Sequence, residues 1–406
     1  MNPRSGKNSY FPGERKILFQ LCLIGFFAIF STTISKNPVL PLFVHALGAG
    51  DATIGLISAV SPFAGILFSF PVGVISDRLG RKRLLVFSGF VFLIAPLCYL
   101  FITNPAMLIP IRFFHGLGTA ILGPVASAVI VERFPDKKGE MLGQYSSATL
   151  VGRTIAPLVG GIIISLFAGY SGLVSYEAVY LVAFLTAIPV LLLTFLYKDE
   201  NKGTLAFTST GDFAASFRIF FGNRTLRATA AIEMSSYFSF GAFETFLPVF
   251  LFGKGFAAYE IGILFSVQVI LIALTKPLFG WMADRMDKRI QILSGLFLMS
   301  VPVAIIPLFS DFWSFAVISL ISGLGLSLST VATGAYVADV ARKKEIGASM
   351  GALSSTMDIG HSLGPLVTGL IIGTGLQYGP GFFVGFLLSL IVGVFFFWSV
   401  FTREKN

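Results

Sequence analysis

Long apolar runs constrain this chain more than any other feature of its sequence. Residues 17–35, 84–103 and 381–401 each approach the roughly 20 predominantly apolar residues that carry a helix across a bilayer. A chain of 406 residues with 55% hydrophobic and only 12% charged side chains cannot bury that much apolar surface in a water-soluble core, since soluble chains carry roughly 25% charged residues. Lipid must cover part of it, and the sequence predicts an all-α membrane protein. Twelve segments qualify as transmembrane helices: 17–47, 51–76, 83–103, 106–131, 139–168, 176–197, 225–253, 258–283, 289–309, 313–338, 346–374 and 379–401. Cys22 and Cys98 lie inside apolar runs and read as small buried hydrophobes rather than a disulfide framework. The first apolar run is too long for a signal peptide, so the first span is expected to be retained.

The net charge of +9 is placed asymmetrically. Of the 29 Lys and Arg, 24 fall on one side of the predicted spans, Lys254 falls on the other, and Lys36, Arg112, Arg153 and Lys276 fall inside spans. The positive-inside rule then predicts cytoplasmic termini in a plasma (inner) membrane. The same placement accounts for the basicity without a nucleic-acid partner.

The chain repeats itself at an offset of about 207 residues. Gly73-Val-Ile-Ser-Asp77-Arg78 recurs as Gly280-Trp-Met-Ala-Asp284-Arg285, Pro41 as Pro248, and Gly116 and Gly118 as Gly323 and Gly325. Gly143, Gly152 and Pro157 recur one residue further along as Gly351, Gly360 and Pro365. Two pseudo-symmetric six-helix bundles are expected, 1–197 and 224–406, related by an axis along the membrane normal. The linker 198–223 is expected to carry a short surface helix, with Phe213, Phe217, Phe220 and Phe221 on one face. A crevice between two such halves, opened to each side in turn, is a transport path. No chain partner is needed to form it, so a monomer is expected.

Four motifs carry a family resemblance. The loop Gly73-x-x-x-Asp77-Arg78-x-Gly80-Arg81-Lys82-Arg83 resembles the loop signature of the major facilitator superfamily. Asp77 and Arg81, four apart, can pair, and Gly80 permits a tight turn. The resemblance implies that this loop latches the cytoplasmic side, with Asp77 near the start of span 11 and Glu132 and Arg133 as neighbours. In the second copy Asp287 replaces Gly80 beside Asp284 and Arg285, which predicts a differently shaped latch. Span 5, with Gly143, Gly152, Pro157, Gly160 and Gly161, resembles the antiporter signature of drug/proton exporters, with Ala156 where Gly is usual. Its small residues are expected to bring spans 5 and 8 together. Span 4, Arg112-Phe-Phe-His115-Gly116-Leu-Gly118, resembles the signature whose arginine is tied to proton coupling. Asn37-Pro38-Val39-Leu40-Pro41 resembles the exporter signature of span 1. The resemblance implies the twelve-helix fold of the superfamily and, among its branches, the drug/proton antiporters.

Ionisable groups within a membrane are costly unless paired or hydrated, so each is a functional candidate. Proton coupling is assigned to Glu244 or Asp358 as carrier, because a carrier must change charge near neutral pH and desolvation can bring a carboxylate there, with Arg112 stabilising or releasing it. Lys36, Asn37, His115, Arg153, Glu233 and His361 are expected to line the substrate cavity. Static salt bridges, such as Asp358 with Lys36 or Arg153, are the structural alternative. The mixture of charges does not choose between anionic and cationic cargo. No metal-ligand spacing, phosphate loop or nucleophile elbow is present in the sequence, so neither a metal, a cofactor nor an enzyme activity is expected. The sequence reads as a proton-coupled exporter of a small organic molecule, or alternatively a transporter of a specific metabolite, sugar or organic anion.

Overall fold

The computed structural model describes residues 12–198, 218, 220–342 and 346–401. Its α-helices are α1 (Pro12–Ile34), α2 (Val39–Ala46), α3 (Asp51–Leu79), α4 (Arg81–Tyr99), α5 (Leu108–Arg133), α6 (Lys138–Leu166), α7 (Val174–Leu196), α8 (Arg224–Gly253), α9 (Ala258–Ala283), α10 (Lys288–Ala304), α11 (Phe312–Val340), α12 (Ile346–Ile371) and α13 (Tyr378–Phe401). The predicted span 1 is broken into α1 and α2. Pro38 has no N–H to donate and disfavours helical backbone at Asn37, so residues 35–38 form a turn. Ten described segments are long and apolar enough to cross a membrane. Of the remaining long helices, α10 has only 17 residues and α8 carries Arg224, Arg227, Glu233 and Glu244 among many small polar residues.

Packing repeats between the halves. The pairs α1–α6, α1–α7, α3–α5, α4–α5 and α4–α7 have counterparts in α8–α12, α8–α13, α9–α11, α10–α11 and α10–α13. Repeat-equivalent glycines make equivalent approaches: Gly116 packs on Ser61 and Gly323 on Gln268, while Gly118 packs on Val91 and Gly325 on Leu298 and Met299. Outer faces present large apolar side chains such as Leu274, Ile391 and Val394. Trp281 and Trp398 lie exposed near one end and Trp313 near the other, as in an interfacial aromatic belt.

The halves meet chiefly along α3–α12 and α6–α9. Their meeting is one-ended. At the end bearing residues 47–50, 167–173 and 254–257, the largest buried apolar cluster draws on both halves, combining Ile34, Phe43 and Ile57 with Phe243, Phe246 and Ile261. Toward the other end, where the basic loops lie, the buried clusters each stay within one half. Small residues explain the difference. Gly161 abuts the Ala258 carbonyl, Gly55 abuts the Pro365 carbonyl, and a Cβ on Gly262 would lie 2.5 Å from the Pro157 carbonyl. Gly143, Gly280 and Gly351, toward the basic end, face open space. Hydrogen bonds from Leu158 N to Ser266 Oγ (3.2 Å) and from Ser362 Oγ to the Ala59 carbonyl (3.0 Å) fasten the closed end.

In the linker, Phe220 is buried beside Leu226 and Leu353 of the second half instead of facing a membrane surface. Phe213 and Phe217 lie outside the described residues. Cys22 and Cys98 are free and only half buried.

Candidate functional site

Between the halves lies a cavity of about 880 Å³, bounded by α1, α3, α5 and α6 from one half and α8, α9, α11 and α12 from the other. It narrows to a blind floor at the closed end and reaches Tyr145 and Gly351 toward the basic end. This volume falls in the range of small-molecule sites.

The floor is an ion-pair network that ties the halves together. The break between α1 and α2 places Lys36 and Asn37 there, and Glu244 reaches them from α8. Lys36 Nζ donates to Glu244 Oε2 at 2.8 Å, and Asn37 Nδ2 donates to Glu244 Oε1 at 2.7 Å. His361 Nε2 on α12 lies 2.7 Å from Glu244 Oε2 and 3.1 Å from Lys36 Nζ. Tyr237 and Phe240 flank the His361 ring, with centroids 6.0 and 5.8 Å away. Asn37 and Glu244 are repeat equivalents, 207 residues apart, so the hydrogen bond between them marks where the pseudo-two-fold axis crosses the floor.

The other expected charges are distributed differently. Arg112 lines the cavity, is 2% exposed, and its Nε has no hydrogen-bond partner. Arg153 points into the cavity from α6 at the position equivalent to His361. Asp358 is half buried against α3, where a Cβ on Gly65 would lie 3.1 Å from Oδ2. Among the described residues Asp358 has no ion-pair partner, and Lys36 pairs with Glu244 instead. Two expected cavity residues sit behind the wall. His115 is buried against Phe92, its Nδ1 3.1 Å from Tyr99 Oη. Glu233 is buried and accepts a hydrogen bond from Thr333 Oγ1 at 2.5 Å. Conversely Lys276, Tyr237, Phe240 and Gln268 line the cavity. Of these only Lys276 carried a sequence signal, as a charge inside a span.

Span 5, now α6, uses its small residues twice. Gly152 packs on the Phe26 carbonyl and Gly160 on Val39 and Ile34 within its own half, while Gly161 and Pro157 meet α9. Repeat equivalents follow suit, with Gly360 on the Met234 carbonyl and Gly369 on the Asp51 carbonyl.

At the basic end, Gly80 turns the chain between α3 and α4 with φ +88°, a backbone that side chains disfavour. Arg81 Nη2 pairs with Glu132 at 2.5 Å and Nη1 donates to Ser76. Gly73, Asp77 and Arg78 lie on α3, but their side chains fall outside those described. In the second half Lys288 pairs with Asp339 at 2.8 Å. These two residues are equivalent to Arg81 and Glu132, so each half keeps this bridge. Asp287 has φ −63° and caps α10 by accepting from Arg289 N at 2.9 Å, while the Arg289 guanidinium also grips it. Asp284 caps the end of α9 and Arg285 stacks over Trp281 at 4.3 Å. The second loop is thus shaped differently: a capping carboxylate does what a left-handed glycine does in the first. Hydrogen bonds from Arg289 hold the Asp287 carboxyl below the usual carboxylate range. Among the described residues no cluster suits a metal ion.

Known proteins share this architecture. An uncharacterized MFS-type transporter of Methanocaldococcus jannaschii is 25% identical over 88% of this chain and 91% of its own length. Multidrug resistance protein 2 of Bacillus subtilis is 22% identical over 97% of both chains. A bacterial homologue of the human lysosomal transporter Spinster, solved in an inward-facing and unoccupied conformation, superposes with a TM-score of 0.78 at 18% identity, covering 98% of this chain and 99% of that one. The family model described as Major Facilitator Superfamily matches residues 21–267 and again 229–406, two overlapping matches that together cover nearly the whole chain. With the duplicated bundles and the central cavity, these matches place the chain in the Major Facilitator Superfamily, as a multi-pass membrane transporter and not an enzyme.

Proposed function

We propose that the protein is a secondary active transporter that exports a small organic molecule in exchange for protons, by alternating access through the central cavity. The carrying observation is the floor network: Glu244 of one half is held by Lys36 and Asn37 of the other, at the blind end of the cavity. Protonating Glu244 removes the charge that clamps the halves together, which links proton binding to opening of that end. Asp358, unpaired beside Gly65 at the α3–α12 seam, is the second carrier candidate, and Arg112 is placed to answer changes of charge in the cavity.

The excess of Lys and Arg in the loops at one end supports a cytoplasmic placement of that end and of both termini, in a plasma membrane. The cavity then opens inward in this conformation. Asp77, with Gly73 and Arg78 around it, would close the cytoplasmic end in the alternate state, while the Arg81–Glu132 pair holds its loop. The relative from B. subtilis named for multidrug resistance supports export, and one chain supplies the whole path, so a monomer suffices.

A second reading, proton-coupled or facilitated transport of a specific metabolite, sugar or organic anion, is favoured by the excess of cationic side chains on the cavity wall. The test is transport in proteoliposomes with an imposed pH gradient. Gradient-driven accumulation that disappears in Glu244→Gln or Asp358→Asn is the expected result. Undiminished uphill transport in both variants removes these two carboxylates as carriers.

A further inference from the structure

From the balance of charge on the cavity wall, we infer that the cargo is an organic anion with an apolar body, held by Arg153 with the charge of Arg112 behind it. The inference rests on the reading of this cavity as the transport site, and, if upheld, it favours the second reading above, movement of an anion together with protons, over exchange.

The wall carries four cationic side chains, Lys36, Arg112, Arg153 and Lys276, and two carboxylates, Glu244 and Asp358. The floor network uses Lys36 and Glu244 on each other. Glu233, which would have added a third negative charge, is behind the wall on Thr333. What is accessible to the cargo is therefore Arg153 and Lys276 against Asp358, with the buried Arg112 adding its charge from within the wall.

The arginines decide the sign. Burying an uncompensated charge costs several kcal/mol, and a lysine or a carboxylate escapes by changing protonation. A guanidinium cannot, because its pKa lies above about 12. Arg112 is nonetheless 2% exposed, with its Nε sealed from the cavity and without a hydrogen-bond partner, so its charge acts on the cavity from within the wall, whereas Arg153 is exposed. Among the described residues no carboxylate is within ion-pair distance of Arg112 or Arg153. Arg153 is thus the accessible fork for a carboxylate, phosphate or sulfonate, which it can grip bidentately, and Arg112 adds a second unneutralised positive charge from within the same half. From α8 and α9 of the other half, Phe240, Val269 and Ile272 offer apolar surface for the rest of the molecule.

The experiment uses a matched pair of probes on the same ring, 1-naphthoate and 1-naphthylmethylammonium, with the purified full-length protein. Binding is measured by equilibrium dialysis, and transport of the tritiated probes in proteoliposomes. Naphthoate is expected to bind more tightly than the ammonium. Arg153→Gln should weaken naphthoate by roughly tenfold or more, and Arg153→Lys should restore much of it. Asp358→Asn should tighten it. Preference for the ammonium, no binding of naphthoate, or equal binding by Arg153→Gln overturns the inference; an unchanged melting temperature certifies that each variant is folded. The transport-site reading fails separately, if naphthoate binds but neither probe crosses the membrane under any gradient.

Discussion

Replacing Glu244 by Gln tests the floor network directly. The substitution keeps the shape and can preserve the bond from Asn37, but it removes the charge that Lys36 meets at 2.8 Å and that His361 meets at 2.7 Å. The side chains of Lys36 and Glu244 are only 23% and 10% exposed. Removing one member of a buried pair costs about 3–5 kcal/mol, and cavity water reaching Lys36 argues for the lower bound. A loss of about 3 kcal/mol, felt only while the closed end is closed, raises the population with that end open roughly 100-fold. Ser362 reports on it, since it is buried in the α12–α3 seam and hydrogen-bonded to the Ala59 carbonyl. In a background lacking Cys22 and Cys98, alkylation of Ser362→Cys by a water-soluble maleimide should accelerate in proportion to that population. Asn37→Ala, which removes one neutral donor, should accelerate it by only about fivefold. An unchanged rate with Glu244→Gln would show that the network does not hold the halves together.

Three further outcomes follow from packing and capping. Gly161→Leu would drive a side chain into the Ala258 backbone, so it should cost the closed end about 1–3 kcal/mol and abolish transport, whereas Gly143→Ala, facing open space, should leave transport intact. Arg81→Gln should lower the melting temperature in detergent more than Lys288→Gln: the Arg81–Glu132 side chains are 9% and 19% exposed, while Asp339, the partner of Lys288, is 58% exposed and such pairs contribute at most about 1 kcal/mol. Asp287→Ala should cost about 1 kcal/mol through the lost α10 cap. Because the Asp287 carboxyl is held below its usual range, its contribution is present above the unfolded pKa of about 3.9 and is lost as pH falls through the lower folded value. Melting curves of wild type and variant should therefore converge in acid; a gap that persists there refutes the cap's electrostatic part.

The fold was legible because it is written redundantly: apolar length marks each span, and the 207-residue repeat ties the spans into two halves. The site was legible only as a set of ionisable groups. Lys36, Glu244 and His361 stood out as charges in apolar runs, but their meeting depends on a chain break at Pro38 and on how α8 and α12 rotate, which no local spacing encodes. Asn37 and Glu244 sit at the repeat offset, but every residue has an equivalent there, so the offset alone does not place this pair beside the axis; the hydrogen bond between them does. His115 and Glu233 went astray for the opposite reason. A polar residue in a span faces either the crevice or a neighbouring helix, and the partners that settled the matter, Tyr99 and Thr333, are far away in sequence or carry no charge.

The duplication is faithful in its helices and unfaithful in its charges, and this has a consequence for coupling. Arg153 faces His361 across the repeat, Leu150 stands where the second half has Asp358, and Ser69 where it has Lys276. Three of the four cavity cations come from the first half and both carboxylates from the second. Every proton taken up by the cavity, whether by Glu244, Asp358 or His361, makes its wall more positive. By linkage, protons and a bound anion then favour one another, and the coupling must be reciprocal. A cationic cargo would instead compete with protons at Asp358. Cooperation suits movement of both in one direction, and competition suits exchange. Naphthoate affinity measured across pH, within the range where the probe stays ionised, therefore discriminates between the two transport readings. Tightening as pH falls, abolished in part by Asp358→Asn, favours proton–anion cotransport. Weakening as pH falls favours exchange and refutes the electrostatic argument made from the cavity wall.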